Sequence, residues 1–88
     1  MNELIEKLFK ENWHGKETTK SLDNMKAQLY KNLNDQLNGY WSGSTAYYIM
    51  TKGGFLVDSK RPSKRKEKKQ LTELGKMFMK EYEDEYNY

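Results

Sequence analysis

Ten consecutive residues, Lys60 to Lys69, read K-R-P-S-K-R-K-E-K-K and set seven cations against the single acid Glu67. Lys60, Arg61, Lys64, Arg65, Lys66, Lys68 and Lys69 give this segment a net +6, in a chain whose total is only +3. The remaining residues hold nine cations and twelve anions, so the rest of the protein is slightly acidic. An ordinary solvated surface interleaves the two signs; this one is polarised. The chemistry that such a cluster suits is neutralisation of closely spaced phosphates. Each phosphate contact releases condensed counterions, and affinity comes from the number of cations delivered together. Pro62 stiffens the segment by fixing its own φ.

Other chemistries find few residues to use. His14 is the only histidine, and there is no cysteine, so a thiolate nucleophile, a disulfide framework and the usual tetrahedral zinc ligand set are all excluded. Gly53-Gly54 belongs to neither of the glycine-rich phosphate loops, since G-x-G-x-x-G and G-x-x-x-x-G-K-[ST] are both missing. No spacing selects a Ser–His–Asp set. The reading is of a non-enzyme with no cofactor and no metal. A further option is base stacking on Tyr40, Trp41, Tyr47 and Tyr48. In so small a domain the expectation is instead that Trp41 and at least one of these tyrosines are core.

These residues need a scaffold, and 88 residues with 35% hydrophobic content allow one thin core. Twelve aromatic residues supply much of the buried area and favour folding over disorder. The start, Met1-Asn2-Glu3-Leu4, has no basic segment leading into an apolar one, and no apolar run approaches the roughly 20 residues of a membrane span. The chain is therefore expected in the cytoplasm, with no membrane partner.

Hydrophobic spacing places the elements. Leu4, Ile5, Leu8, Phe9 and Trp13 fall three and four apart, which predicts a helix over about 3–13, followed by a polar connection over 14–20. Leu22, Met25, Leu29, Leu33 and Leu37 predict a second helix over 21–38, capped by Ser21 and ended by Asn38-Gly39. Between 40 and 59 the signals conflict. Tyr47-Tyr48-Ile49-Met50 has strand propensity, with Gly53-Gly54 as a turn into Phe55-Leu56-Val57, a hairpin over 45–59. Ala46, Ile49 and Met50 also make one face of a helix over 44–52. A last helix over 72–84 is capped by Thr72 and buries Leu74, Met77, Phe78 and Tyr82, with a short strand expected near Lys69 to Leu71. The whole reads as one domain, 1–84, with an acidic, aromatic tail at 85–88. Glu81, Glu83, Asp84 and Glu85 oppose the dipole of their own helix end, so that end is expected to fray. The tail either solubilises the chain, folds back on the basic segment or meets that segment in a partner subunit.

The string G-G-F-L-V-D, a basic loop and then K-K-Q-L-T-E-L-G-K-M-F-M resembles the back half of winged helix-turn-helix domains, the MarR-like and PadR-like proteins among them. In that superfamily a recognition helix ending in glycine leads into a strand, the wing, a second strand and a helix opening L-T-x-x-G. Gly54 with Phe55-Leu56, and Leu71-Thr72 with Gly75, match that order across residues 42–80. The resemblance implies an α+β, mostly helical winged fold with a small wing hairpin. It also implies a recognition helix presenting Ser44, Thr45, Tyr47, Tyr48 and Lys52 to the major groove, and a wing laying the seven cations along the backbone. The alternative fold is two helices, the hairpin over 45–59 and a C-terminal helix.

The functional expectation is a small DNA-binding protein, a regulator or accessory factor, whose partner is double-stranded DNA. The alternative is a protein-binding module, a small inhibitor or adaptor of the kind phages and mobile elements carry, whose basic and tyrosine-rich face meets an acidic protein. Homodimerisation through the Leu4–Phe9 or Met77–Tyr82 stripes is a further expectation, although those stripes are needed first for the core.

Overall fold

In the computed structural model, which describes residues 1–57 and 71–86, five helices follow one another. They are α1 (Asn2–Asn12), α2 (Lys16–Thr19), α3 (Leu22–Leu37), α4 (Ser44–Lys52) and α5 (Glu73–Tyr86). Helix α3 is the hub, packing against each of the other four, while α1 also meets α2 and α4. The core draws Ile5, Leu8 and Phe9 from α1, Met25, Leu29 and Leu33 from α3, Ala46, Ile49 and Met50 from α4, and Phe78 and Met79 from α5. Phe55 and Leu56, in the connection after α4, complete it.

The caps explain where the helices stop and start. The Ser21 hydroxyl accepts from the backbone N–H of Asn24 at 3.1 Å, the ordinary N-cap bond. At the other end of α3 the N–H of Gly39 donates to Gln36 (3.2 Å) and that of Tyr40 to Asp35 (2.8 Å), with Gly39 at φ 86°. This is a Schellman closure, in which a left-handed glycine turns the chain and the last carbonyls are satisfied. Helix α4 ends the same way. Gly54 (φ 77°) donates to Thr51 at 3.0 Å and Phe55 to Met50 at 2.9 Å.

The winged α+β fold is overturned, and so is the alternative built on a hairpin over 45–59. Among the described residues there is no β-strand, only one isolated antiparallel bridge between Leu56 and Leu71. The ambiguous segment is a helix because burial decides it. Ala46, Ile49 and Met50 reach the core at helical spacing, whereas a strand would split Ile49 and Met50 between opposite faces. Gly53-Gly54 accordingly ends a helix instead of turning a hairpin. The strand expected near Lys69 to Leu71 shrinks to the Leu71 bridge within the described residues, and Lys69 itself lies outside them.

Three smaller expectations also change. The connection 14–20 contains the single turn α2. On α5 Met77, expected in the buried face, is 53% exposed, and Met79 is buried instead. The helix also continues through Glu85 and Tyr86, held to α3 by side-chain contacts.

Candidate nucleic-acid interface

Two local devices tie the segment after α4 to the start of α5. Thr72 donates its backbone N–H to the Phe55 carbonyl at 3.1 Å, and its hydroxyl hydrogen-bonds the Gly54 carbonyl. The same hydroxyl oxygen accepts from the N–H of Gly75 at 3.0 Å, which makes Thr72 the N-cap of α5 as well. Gly75 then passes so close to Phe55 that a Cβ would lie 2.1 Å from its carbonyl oxygen. With the Leu56–Leu71 bridge, these contacts bring together the two chain ends that bracket residues 58–70. Lys60, Arg61, Lys64, Arg65, Lys66, Lys68 and Lys69 fall outside the described residues, so what is established is the clamp at the base of their segment.

Helix α4 runs directly into that clamp, because Leu56 donates its N–H to the Met50 carbonyl at 3.1 Å. Of the five residues expected to face a groove, three form one outward row. Ser44, Tyr48 and Lys52 are exposed at four-residue spacing, the helix face opposite Ala46, Ile49 and Met50. Thr45 is half-buried and, with Ser44 and Tyr48, lines a shallow cleft that also takes in Asn12 and His14. A neighbouring hollow joins Trp13, His14 and Gly15 to Thr45. Tyr47 points elsewhere. It is half-buried against the core, and its ring meets Trp41 with centroids 5.4 Å apart.

Trp41 itself corrects an expectation. It is 65% exposed and Tyr40 68%, so the aromatics of the α3–α4 connection are displayed and not core. Their position follows from the Schellman turn. The residue after such a turn normally packs on the helix residue five positions back. Phe55 does so against the buried Met50, but Tyr40 finds Asp35 at that place and stays in solvent.

The acidic end of α5 is engaged on α3. Lys26 pairs with Glu85 at 3.1 Å, the Tyr30 hydroxyl donates to Glu83 at 3.1 Å, and the Tyr86 hydroxyl donates to Asp23 at 2.9 Å. Tyr82 stacks on Tyr30 and meets Tyr86, with centroids 4.6 and 4.5 Å away. Burial and then the Glu83 carboxylate push the Tyr30 phenol up. The hydrogen bond to Asp23, followed by burial, pushes Tyr86 up to about 12. Both shifted groups belong to this α3–α5 contact, which offsets the unfavourable helix dipole at the acidic end. Neither lies among the residues expected to face DNA.

Sequence reasoning missed Asn12, His14 and the display of Tyr40 and Trp41. One signal for the last was available: N-G-Y-W-S-G sets two aromatics between glycines, without the periodic apolar neighbours a core residue has. Among the described residues no three His, Asp or Glu side chains gather as a metal site, and no helix is long and apolar enough to cross a membrane. No protein-family model, curated protein or solved structure matches the chain.

Proposed function

We propose that this protein binds nucleic acid, as a DNA-binding regulator or accessory factor, by neutralising backbone phosphates with the cations of Lys60 to Lys69. The observation that carries this reading is charge segregation: seven of the sixteen cations lie in ten residues, and the rest of the chain is net acidic. Two features support it. The described residues on either side of the basic segment are joined through Leu56, Leu71 and Thr72, which is consistent with a cationic segment tethered at both flanks. Joining the flanks in advance lowers the entropy that binding must remove. The outward row Ser44, Tyr48 and Lys52 leads along α4 to that clamp and offers neutral donors with one further cation. Two of the acids in the α5 tail, Glu83 and Glu85, are engaged by Tyr30 and Lys26, which argues against their folding back on the basic segment.

The test is duplex binding as a function of salt, in the wild type and in a variant whose basic segment is neutralised. Loss of binding and of salt dependence in the variant supports the reading. If the wild type fails to bind any nucleic acid at low salt, the basic segment serves an acidic protein partner instead.

A further inference from the structure

Tyr40 and Trp41 are unusual in being both exposed and held. A large aromatic side chain in solvent costs apolar hydration that a core position would recover, and a core of this size has use for every ring. Yet the chain on both sides of Trp41 is pinned to α3. The Tyr40 N–H donates to the Asp35 carbonyl at 2.8 Å, and the Ser42 hydroxyl donates to the carbonyl of the buried Asn32 at 3.1 Å. Gly39 and Gly43, at φ 86° and 99°, supply the two reversals that bring the chain out and back. Behind Trp41 the ring of Tyr47 supports it at 5.4 Å and 37°. The result is an indole face presented outward on a fixed loop, with a second ring beside it in sequence.

From this geometry we infer that Tyr40 and Trp41 form a stacking platform for the unpaired bases of a single-stranded nucleic acid. The inference rests on the nucleic-acid reading above and names the form of nucleic acid. Two arguments select this occupant. A chain that carries +6 in ten residues draws polyanions, and nucleic acids are the polyanions whose flat rings match an indole face. In a duplex those faces are covered by neighbouring base pairs, so only an unpaired strand can use the platform. Because the loop is fixed in advance, little side-chain and backbone freedom remains to be lost when a base lands on it.

Three probes of equal length separate stacking from charge: a thymidine oligonucleotide, an abasic oligonucleotide with the same phosphates, and a duplex. Trp41→Ala is expected to weaken the thymidine oligonucleotide about thirtyfold, the middle of the range for loss of one stacked base. Its affinity for the abasic strand and the duplex should stay within about twofold of wild type on the same basis, since their contacts are to phosphate. In a Trp13→Phe background Trp41 is the sole tryptophan, and its fluorescence should be quenched by the thymidine strand and not by the abasic one. An unchanged melting temperature for Trp41→Ala shows that the fold is intact. Equal affinities of wild type and Trp41→Ala for the thymidine strand, or equal losses on all three probes, overturn the platform while leaving phosphate binding in place. No binding of wild type to any probe overturns both readings together.

Discussion

The carbonyl oxygen of Phe55 occupies the space that a Cβ on Gly75 would need, 2.1 Å from the position it would take. Helix α5 therefore lies directly on the backbone of the segment that leads out of α4, and only glycine permits that approach. In a helix, replacing glycine by alanine ordinarily gains about 1 kcal/mol. Here the sign reverses. Gly75→Ala should lose about 2 kcal/mol or more, because the clash is with backbone and α5 must move away. Urea denaturation reads the change, and a gain in stability would show that α5 does not lie on Phe55.

Thr72 serves two partners at once, capping Gly75 and bonding the Gly54 carbonyl. Thr72→Val keeps the shape and removes both bonds, at an expected cost of about 1–2 kcal/mol. Thr72→Ser should recover most of it. Since the clamp below residues 58–70 includes this hydroxyl, Thr72→Val should also speed hydrogen exchange at the Thr72 amide, which donates to Phe55.

The two exposed aromatics and the buried ones should separate cleanly in stability. Phe55 is 0% exposed and meets Phe78 edge-on at 5.7 Å. Its replacement by alanine should cost about 3–5 kcal/mol. Trp41→Ala removes a larger side chain but should cost at most about 1 kcal/mol, the worth of its contact with Tyr47. Thermal melts of the two variants side by side check this, and a large loss for Trp41→Ala would place that ring in the core.

Alkaline pH addresses the α3–α5 contact. Tyr86 is pushed up to about 12 from an ordinary value of 10, first by its hydrogen bond to Asp23. In the unfolded chain this phenol loses its proton near 10, so the native state retains a proton there that the unfolded state has lost. The contribution is thus full below pH 10 and declines as pH rises toward 12. Ultraviolet titration should show a late-ionising tyrosine that disappears in Tyr86→Phe, and the loss of stability between pH 10 and 12 should shrink in Asp23→Asn, whose folded and unfolded phenols ionise more nearly alike. Tyrosinate formation at an ordinary pH for all tyrosines would mean that the end of α5 is not docked.

Much of the scaffold was legible because helices announce themselves by spacing. Leu22, Met25, Leu29 and Leu33 recur three or four apart, Ser21 can cap, and Gly39 fits the left-handed turn that ends α3. The segment 44–54 was not legible for a definite reason. Tyr47 and Tyr48 favour strands by propensity, and Gly53-Gly54 fits a hairpin turn as well as a helix end. The decision lay in burial of Ala46, Ile49 and Met50, which is a tertiary fact. The resemblance to a winged domain followed real local features, since Leu71-Thr72 and Gly75 do form a cap and a close approach. Those features require only a helix laid on a preceding backbone segment, and they do not specify a sheet. On α5, Met77 and Met79 exchange roles because both lie at the edge of the apolar stripe. Asn32 and Gln36 are buried on α3, where polarity pointed outward. Asn32 accepts from Gln28 at 3.0 Å, and its carbonyl anchors Ser42 beside Trp41. A polar residue that secures a loop from within gives no hydrophobic signal. Of the expected interface, the charge cluster was plain from composition, whereas the exposure of Tyr40 follows from Asp35 standing where an apolar partner would be.

Phosphate binding by the basic segment is tested most directly by a salt titration. Binding of a labelled duplex is measured at several salt concentrations for wild type and for a variant with Lys64, Arg65, Lys66, Lys68 and Lys69 each changed to Gln. The expected wild-type slope of log affinity against log salt is about −3 to −6, flattened in the variant. A wild type that does not bind at low salt, or a variant with the same slope as the wild type, would contradict it.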